Sequence, residues 1–179
     1  MTKRVLILSS SPRKGGNSDT LCDRFLEGAA KAGHRVEKVF LGDRDIRYCT
    51  GCGACVKTGQ CPQKDDMKEL LERMIQADVL VMATPVYFYT MSAQMKTLID
   101  RCCARYQEIK GKDFYFILTA ADESRPAMTR SLESFRGFTS CLQDAREKGI
   151  VYGLGAWNRG DIQGNPALEE AYRMGAAIR

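Results

Sequence analysis

The chain has 179 residues, with 27 lysines and arginines against 22 aspartates and glutamates, and a formal net charge of +5. Its 44% hydrophobic and 27% charged residues are those of a globular domain, which excludes disordered and fibrous classes. No apolar run approaches the ~18 residues of a membrane span, and the basic residues form no block or arm of the kind that binds nucleic acid. The length supports one domain, residues 1–179, able to bury about two-thirds of its unfolded surface without disulfide staples. The start, MTKRVLILSSS, has an apolar stretch of four, too short for a secretory segment. A cytoplasmic chain is expected, whose eight cysteines are thiols, ligands or redox groups.

In chain order, Arg4 to Ser9 (RVLILS) is a strand buried on both faces, being a continuous aliphatic run. Asp19 to Ala32 is a helix with Leu21, Phe25 and Ala29 on one face, ended by Gly33. Arg35 to Leu41 is a second strand, and a cysteine-rich insertion at about 45–64 follows it. Asp65 to Gln76 is helical, Val79 to Ala83 is a third strand closed by Thr84-Pro85, and Ser92 caps a helix running to Arg105. Phe114 to Thr119 is the fourth strand, Thr129 to Cys141 a helix, Gly149 to Tyr152 a short fifth strand and Pro166 to Ala177 a last helix. Five strands alternating with five helices predict an α/β fold, a parallel sheet covered on both faces. Right-handed crossovers then put the strand-to-helix loops at the carboxyl edge, where such sheets bind ligands.

The first such loop, Ser9 to Ser18 (SSSPRKGGNS), offers hydroxyls, a helix amino terminus and Arg13, the makings of a phosphate cradle. It is neither a Walker A loop nor a dinucleotide G-x-G-x-x-G, and it lacks the cysteine of a thiol phosphatase. An ordinary polar turn has the same composition. The second loop, Thr84 to Ser92 (TPVYFYTMS), places Tyr87, Phe88, Tyr89 and Met91 where a turn is normally hydrophilic. They would wall a flat conjugated ring, or else fill a subunit interface or plug the core. The third loop, Thr119 to Ser124 (TAADES), is small enough for close approach of a ligand.

The cysteine run is Cys49-x2-Cys52-x2-Cys55-x5-Cys61, interleaved with Gly51, Gly53 and Gly59 and expected on the same sheet edge as the loops. Its compact spacing suits an iron–sulfur cluster first, a zinc site second and a redox disulfide third. Cys22, Cys102, Cys103 and Cys141 fall on predicted helices and read as small buried hydrophobes. His34, the only histidine, follows Gly33 as a turn residue, so hydrolytic triads have little support. Trp157, in the glycine-rich stretch Gly153 to Gly164, is a loop anchor or an interface residue.

SSSPRKGGNS resembles the G-S-P-R-x-x-G-N-(S/T) phosphate loop of NADPH-dependent FMN reductases. TPVYFYTMSAQMKTLIDR resembles their P-x-Y-x5-(P/S)-A-x-x-K-x-x-(I/L)-D-R segment, and the cysteine run looks like that of the iron–sulfur flavoprotein branch. One departure is Ser10, where the family usually has glycine; a side chain there slightly crowds the backbone approach to phosphate, but a small hydroxyl is tolerable. The resemblance implies a flavodoxin-like three-layer sandwich with strand order 2-1-3-4-5, FMN at its carboxyl edge, and a homodimer or homotetramer. By it, Ser9, Ser11, Arg13, Gly16, Asn17 and Ser18 would surround the FMN phosphate. Pro85, Val86, Tyr87 and Phe88 would line the ring on one side, and Thr119, Ala120, Ala121 and Asp122 on the other. Cys49, Cys52, Cys55 and Cys61 would bind a [4Fe–4S] cluster, while Lys96, Asp100 and Arg101 read as structural or interface residues. The implied activity is an FMN-dependent oxidoreductase passing electrons from NAD(P)H to a quinone, flavin, nitro or azo compound, the flavin carrying the chemistry. The alternatives are an electron carrier reduced by ferredoxin and a zinc- or thiol-based redox sensor.

Overall fold

The computed structural model describes all 179 residues. Its strands are β1 (Arg4–Ser9), β2 (Arg35–Phe40), β3 (Val79–Tyr87), β4 (Thr90–Met91), β5 (Asp113–Thr119) and β6 (Arg146–Gly153). The helices are α1 (Asn17–Lys31), α2 (Ala54–Thr58), α3 (Met67–Gln76), α4 (Ala93–Arg101), α5 (Thr129–Thr139) and α6 (Ala167–Ala176). The sheet order is β2-β1-β3-β5-β6, all parallel, with β4 pairing antiparallel to the end of β3. Counting the five parallel strands in chain order, this is the expected 2-1-3-4-5.

The hydropathy of the strands explains the layers. In β1, Val5 and Ile7 enter a core under α1 and α6, while Leu6 and Leu8 face α3, α4 and α5. β3 and β5 divide likewise, Val79 and Val81 opposing Leu80 and Met82, and Ile117 opposing Phe114 and Phe116. Both faces are dry, which is why these runs are aliphatic throughout rather than alternating.

Several boundaries differ from the sequence expectation. β3 continues through Thr84-Pro85 to Tyr87. β1 ends opposite Ala83, so beyond that point β3 is free on one side and tolerates a proline without an N–H. The aromatic segment is thus a hairpin rather than a loop, its two-residue turn Phe88-Tyr89 lying in the left-handed region at φ 47° and 64°. The α4 helix stops at Arg101, and a single tight turn, Cys102–Ala104, follows. β6 begins three residues before Gly149, because its first residues, Arg146 to Lys148, are polar and exposed at the sheet edge. No helix is long and apolar enough to cross a membrane.

Candidate cofactor cleft and cysteine segment

At the carboxyl edge a cleft is lined by Ser11, Arg13, Gly16, Asn17 and Ser18 from the first loop, and by Pro85, Val86 and Tyr87 from the end of β3. Thr119, Ala120 and Ala121 follow β5 on its far side, and Ala156 and Trp157 follow β6. Three of the residues expected here stand elsewhere. Ser9 is fully buried and donates to Asp19 Oδ1 at 2.7 Å. Phe88 is fully exposed at the hairpin tip. The Asp122 carboxylate accepts from the Ser124 amide at 2.7 Å and closes its own turn.

The first loop is built from beneath. Asp19, buried in the first turn of α1, accepts from Ser9 Oγ, from the Gly15 amide at 2.9 Å and from Lys38 Nζ at 3.0 Å. Burial alone would raise its pKa, but the hydrogen bonds from Gly15, Ser9 and Lys38 outweigh it and hold the carboxyl below its ordinary range. Gly16 has no room for a side chain, since a Cβ would sit 2.6 Å from Ser11 Oγ and 2.8 Å from the Arg13 carbonyl. It precedes α1 without any side-chain cap, so the first-turn amides stay open to a ligand and the helix dipole favours an anion there. Arg13 has no carboxylate partner, whereas neighbouring Lys14 pairs with Asp43 at 2.7 Å. Ser18 Oγ is buried and unpartnered.

Ser10 does not crowd this cleft. Its hydroxyl donates to the Ala83 carbonyl at 2.8 Å and meets Ser92 Oγ at 2.9 Å, joining the first loop to β3 and the start of α4. Asn17 is also committed elsewhere: Nδ2 donates to the Asn158 carbonyl at 2.8 Å, and Oδ1 accepts from the Gly160 amide at 3.1 Å and more weakly from Ile162. That side chain latches the long loop after β6 onto α1, and so brings Ala156 and Trp157 to the cleft. Sequence reasoning missed Ala156 and left Trp157 unassigned, because the latch joins positions more than 140 residues apart.

The cysteine segment departs from the edge expected for it. Ile46 lies beside Ala93, Gln94 and Thr97 near the start of α4, and the segment then runs to Arg101, the last residue of that helix. None of its residues lines the cleft. Gly51, Gly53 and Gly59 have φ of 65°, 70° and 68°, with open space around a would-be Cβ, so they serve backbone turns rather than clearance. Cys49 and Cys52 are exposed, Cys55 and Cys61 half-buried, and no three potential ligands are gathered about one point. The backbone amide of Ala54 beside the Cys52 sulfur lowers its pKa. A cavity of about 220 Å³ opens beside Cys61, floored by Met67, Leu71 and Ala104.

Of the four remaining cysteines, Cys22 and Cys102 are buried, and burial pushes the Cys102 thiol up to about 12. Cys103 and Cys141 are exposed rather than buried, and each lies beyond the end of the helix expected to hold it. Partial burial and the neighbouring Cys55 raise the pKa of the Cys103 thiol.

Residues 3–139 match the NADPH-dependent FMN reductase family. The chain is 41% identical over 181 residues to an iron–sulfur flavoprotein of Archaeoglobus fulgidus, across 98% of this chain and 78% of that one. Over 98 residues it is 40% identical to an iron–sulfur flavoprotein of Methanocaldococcus jannaschii, across 55% of this chain and 51% of the other. The solved NAD(P)H:quinone oxidoreductase from Methanothermobacter marburgensis shares the fold, with a TM-score of 0.74 at 20% identity over 98% of this chain and 96% of that one. The family match over most of the sequence, on a flavodoxin-like sheet with an uncapped helix terminus at its cleft, makes this chain a member of the NADPH-dependent FMN reductase family and an FMN-dependent oxidoreductase.

Proposed function

We propose that the cleft holds FMN with its phosphate in the first loop, and that the protein passes electrons from NAD(P)H to a small acceptor such as a quinone, a flavin, or a nitro or azo compound. The observation that carries this is Ser18 Oγ, a buried hydroxyl without a partner beside an uncapped helix terminus and an unpaired Arg13. A phosphate satisfies all three together. Ser11 and Gly16 shape the same cradle, Pro85, Val86 and Tyr87 form an apolar wall for the ring, and the small Thr119, Ala120 and Ala121 let it approach the opposite backbone. When bound, the flavin supplies both hydride and single-electron chemistry. The chain's own part is to bind, orient and exclude water, for the cleft is lined by no carboxylate and no histidine that could move a proton.

The donor set of Cys49, Cys52, Cys55 and Cys61 fits a [4Fe–4S] cluster in type and spacing. Bringing the four thiols together would disturb no core packing, since no residue from Cys49 to Cys61 is buried. Two relatives named iron–sulfur flavoproteins favour this over zinc or a switching disulfide. They also support a second reading, an electron carrier reduced by ferredoxin. Exposed Tyr87 and Trp157 at the cleft, with Phe88 at the neighbouring hairpin tip, suit coverage by a second copy in a homodimer or homotetramer.

Anaerobically purified protein is expected to bind one FMN per chain, to carry about four irons per chain, and to lose its visible flavin bands on adding NADPH. Protein that cannot be reconstituted with FMN contradicts the flavin reading. Bleaching by reduced ferredoxin but not by NADPH selects the carrier, and zinc in place of iron the sensor.

A further inference from the structure

We infer that Arg101 is the positioning residue of the cysteine segment, a single guanidinium that clasps both of its ends. Between Gly42 and Asp66 only half-buried Ile46 packs against the main core, so apolar contacts do little to fix the shape of this stretch. Its order comes from a polar joint at its base. Arg101 Nη1 donates to the Arg47 carbonyl and to Asp65 Oδ2, both at 2.6 Å, and Nη2 donates to Asp65 Oδ1 at 3.0 Å and to Cys61 Sγ at 3.4 Å. Arg47 precedes the first cysteine by two residues and Asp65 follows the last by four, so one side chain holds the entrance, the exit and the final thiol.

Around that clasp the two arms are zipped. The Arg47 amide donates to Asp65 Oδ2 at 3.2 Å and its guanidinium to the Lys64 carbonyl at 2.6 Å. The Asp45 amide donates to Asp66 Oδ2 and the Asp66 amide to the Asp45 carbonyl, both at 2.9 Å. The Arg101 and Asp65 side chains are 1% and 0% exposed. A buried pair of this kind is a costly way to gain stability but a specific way to fix geometry. A planar fork suits this joint, because its four acceptors are reached from two separate nitrogens, whereas the three donors of a lysine diverge from one point. Resting on the cluster reading, the Nη2–Cys61 hydrogen bond also stabilises negative charge on that sulfur and so favours the reduced cluster.

The test uses full-length Arg101→Lys, which keeps the buried charge, beside Arg101→Met. In metal-free protein, hydrogen exchange followed by mass spectrometry should be about tenfold faster for the amides of residues 45–66 in Arg101→Met. The increase should be smaller in Arg101→Lys, with β1 and β3 unchanged and FMN affinity within about twofold of wild type. In anaerobically reconstituted protein the cluster's reduction potential should fall in Arg101→Met and move back towards wild type in Arg101→Lys. Unchanged exchange over 45–66 in the folded lysine variant overturns the proposal, as does a loaded methionine variant with the wild-type potential. If wild type itself takes up no iron, the cluster reading fails alone and the exchange comparison still decides the clasp.

Discussion

Two buried side-chain polar atoms lack a partner in this protein, Ser18 Oγ at the cleft and Arg101 Nε at the cysteine segment. Buried polar groups are nearly always satisfied, so both exceptions standing at the two candidate sites separate function from packing at the scale of single residues. Asp19 is the opposite case, a carboxylate with every partner in place. Its folded pKa lies below the unfolded value of about 3.9. The ionised form therefore adds stability above that pH, and the contribution is lost as pH falls through the folded pKa. Asp19→Asn should cost about 1–3 kcal/mol at pH 7 and flatten the acid limb of stability between about pH 5 and pH 2. Urea midpoints measured against pH check this, and parallel curves for variant and wild type would contradict it. Ser10 shows how a small hydroxyl is accommodated in the loop. Where glycine is usual, its hydroxyl turns away from the phosphate side into a joint with Ala83 and Ser92.

Between elements, the most exacting contact is α1 on α6. A Cβ on Gly28 would lie 2.0 Å from the Tyr172 carbonyl oxygen, and one on Gly175 would lie 2.2 Å from that of Phe25. The two backbones touch, and neither glycine is there for flexibility. Gly28→Ala should destabilise by about 1–3 kcal/mol through forced separation of the helices, despite the ~1 kcal/mol that alanine gains in helix propensity. A denaturation midpoint at or above wild type would show that the helices can part freely. The hairpin after β3 invites the reverse change. Phe88 sits at φ 47° and is fully exposed, so Phe88→Asn should relieve left-handed strain by several tenths of a kcal/mol. FMN affinity should stay within about twofold, while Tyr87→Ala should weaken it; equal weakening by both would return Phe88 to the site. The sequence made β1, β3 and β5 legible because continuous aliphatic runs leave little choice. It hid the hairpin because Thr84-Pro85 has the look of a terminator, and only the end of β1 opposite Ala83 reveals why the strand goes on.

For the whole molecule, the fold class could be read from alternation alone, whereas the strand order rested on the resemblance. The cleft was legible where chemistry is local: Ser11, Arg13, Gly16 and Ser18 in one loop, Pro85 to Tyr87 in another. Ala156 and Trp157 were not, because they arrive through the long-range Asn17 latch. Nor was the path of the cysteine segment, which passes along α4 to Arg101 and leaves the cleft and the thiols as separate sites within one chain. The central claim is that the first loop is built for a phosphate, and calorimetric titration of apoprotein with FMN and with riboflavin tests it most directly. The two ligands share the ring and differ in the phosphate. An uncapped helix terminus, Arg13 and Ser18 together should make FMN bind at least about 100-fold more tightly, as two or more charge-assisted hydrogen bonds require. Equal affinities for FMN and riboflavin would contradict it.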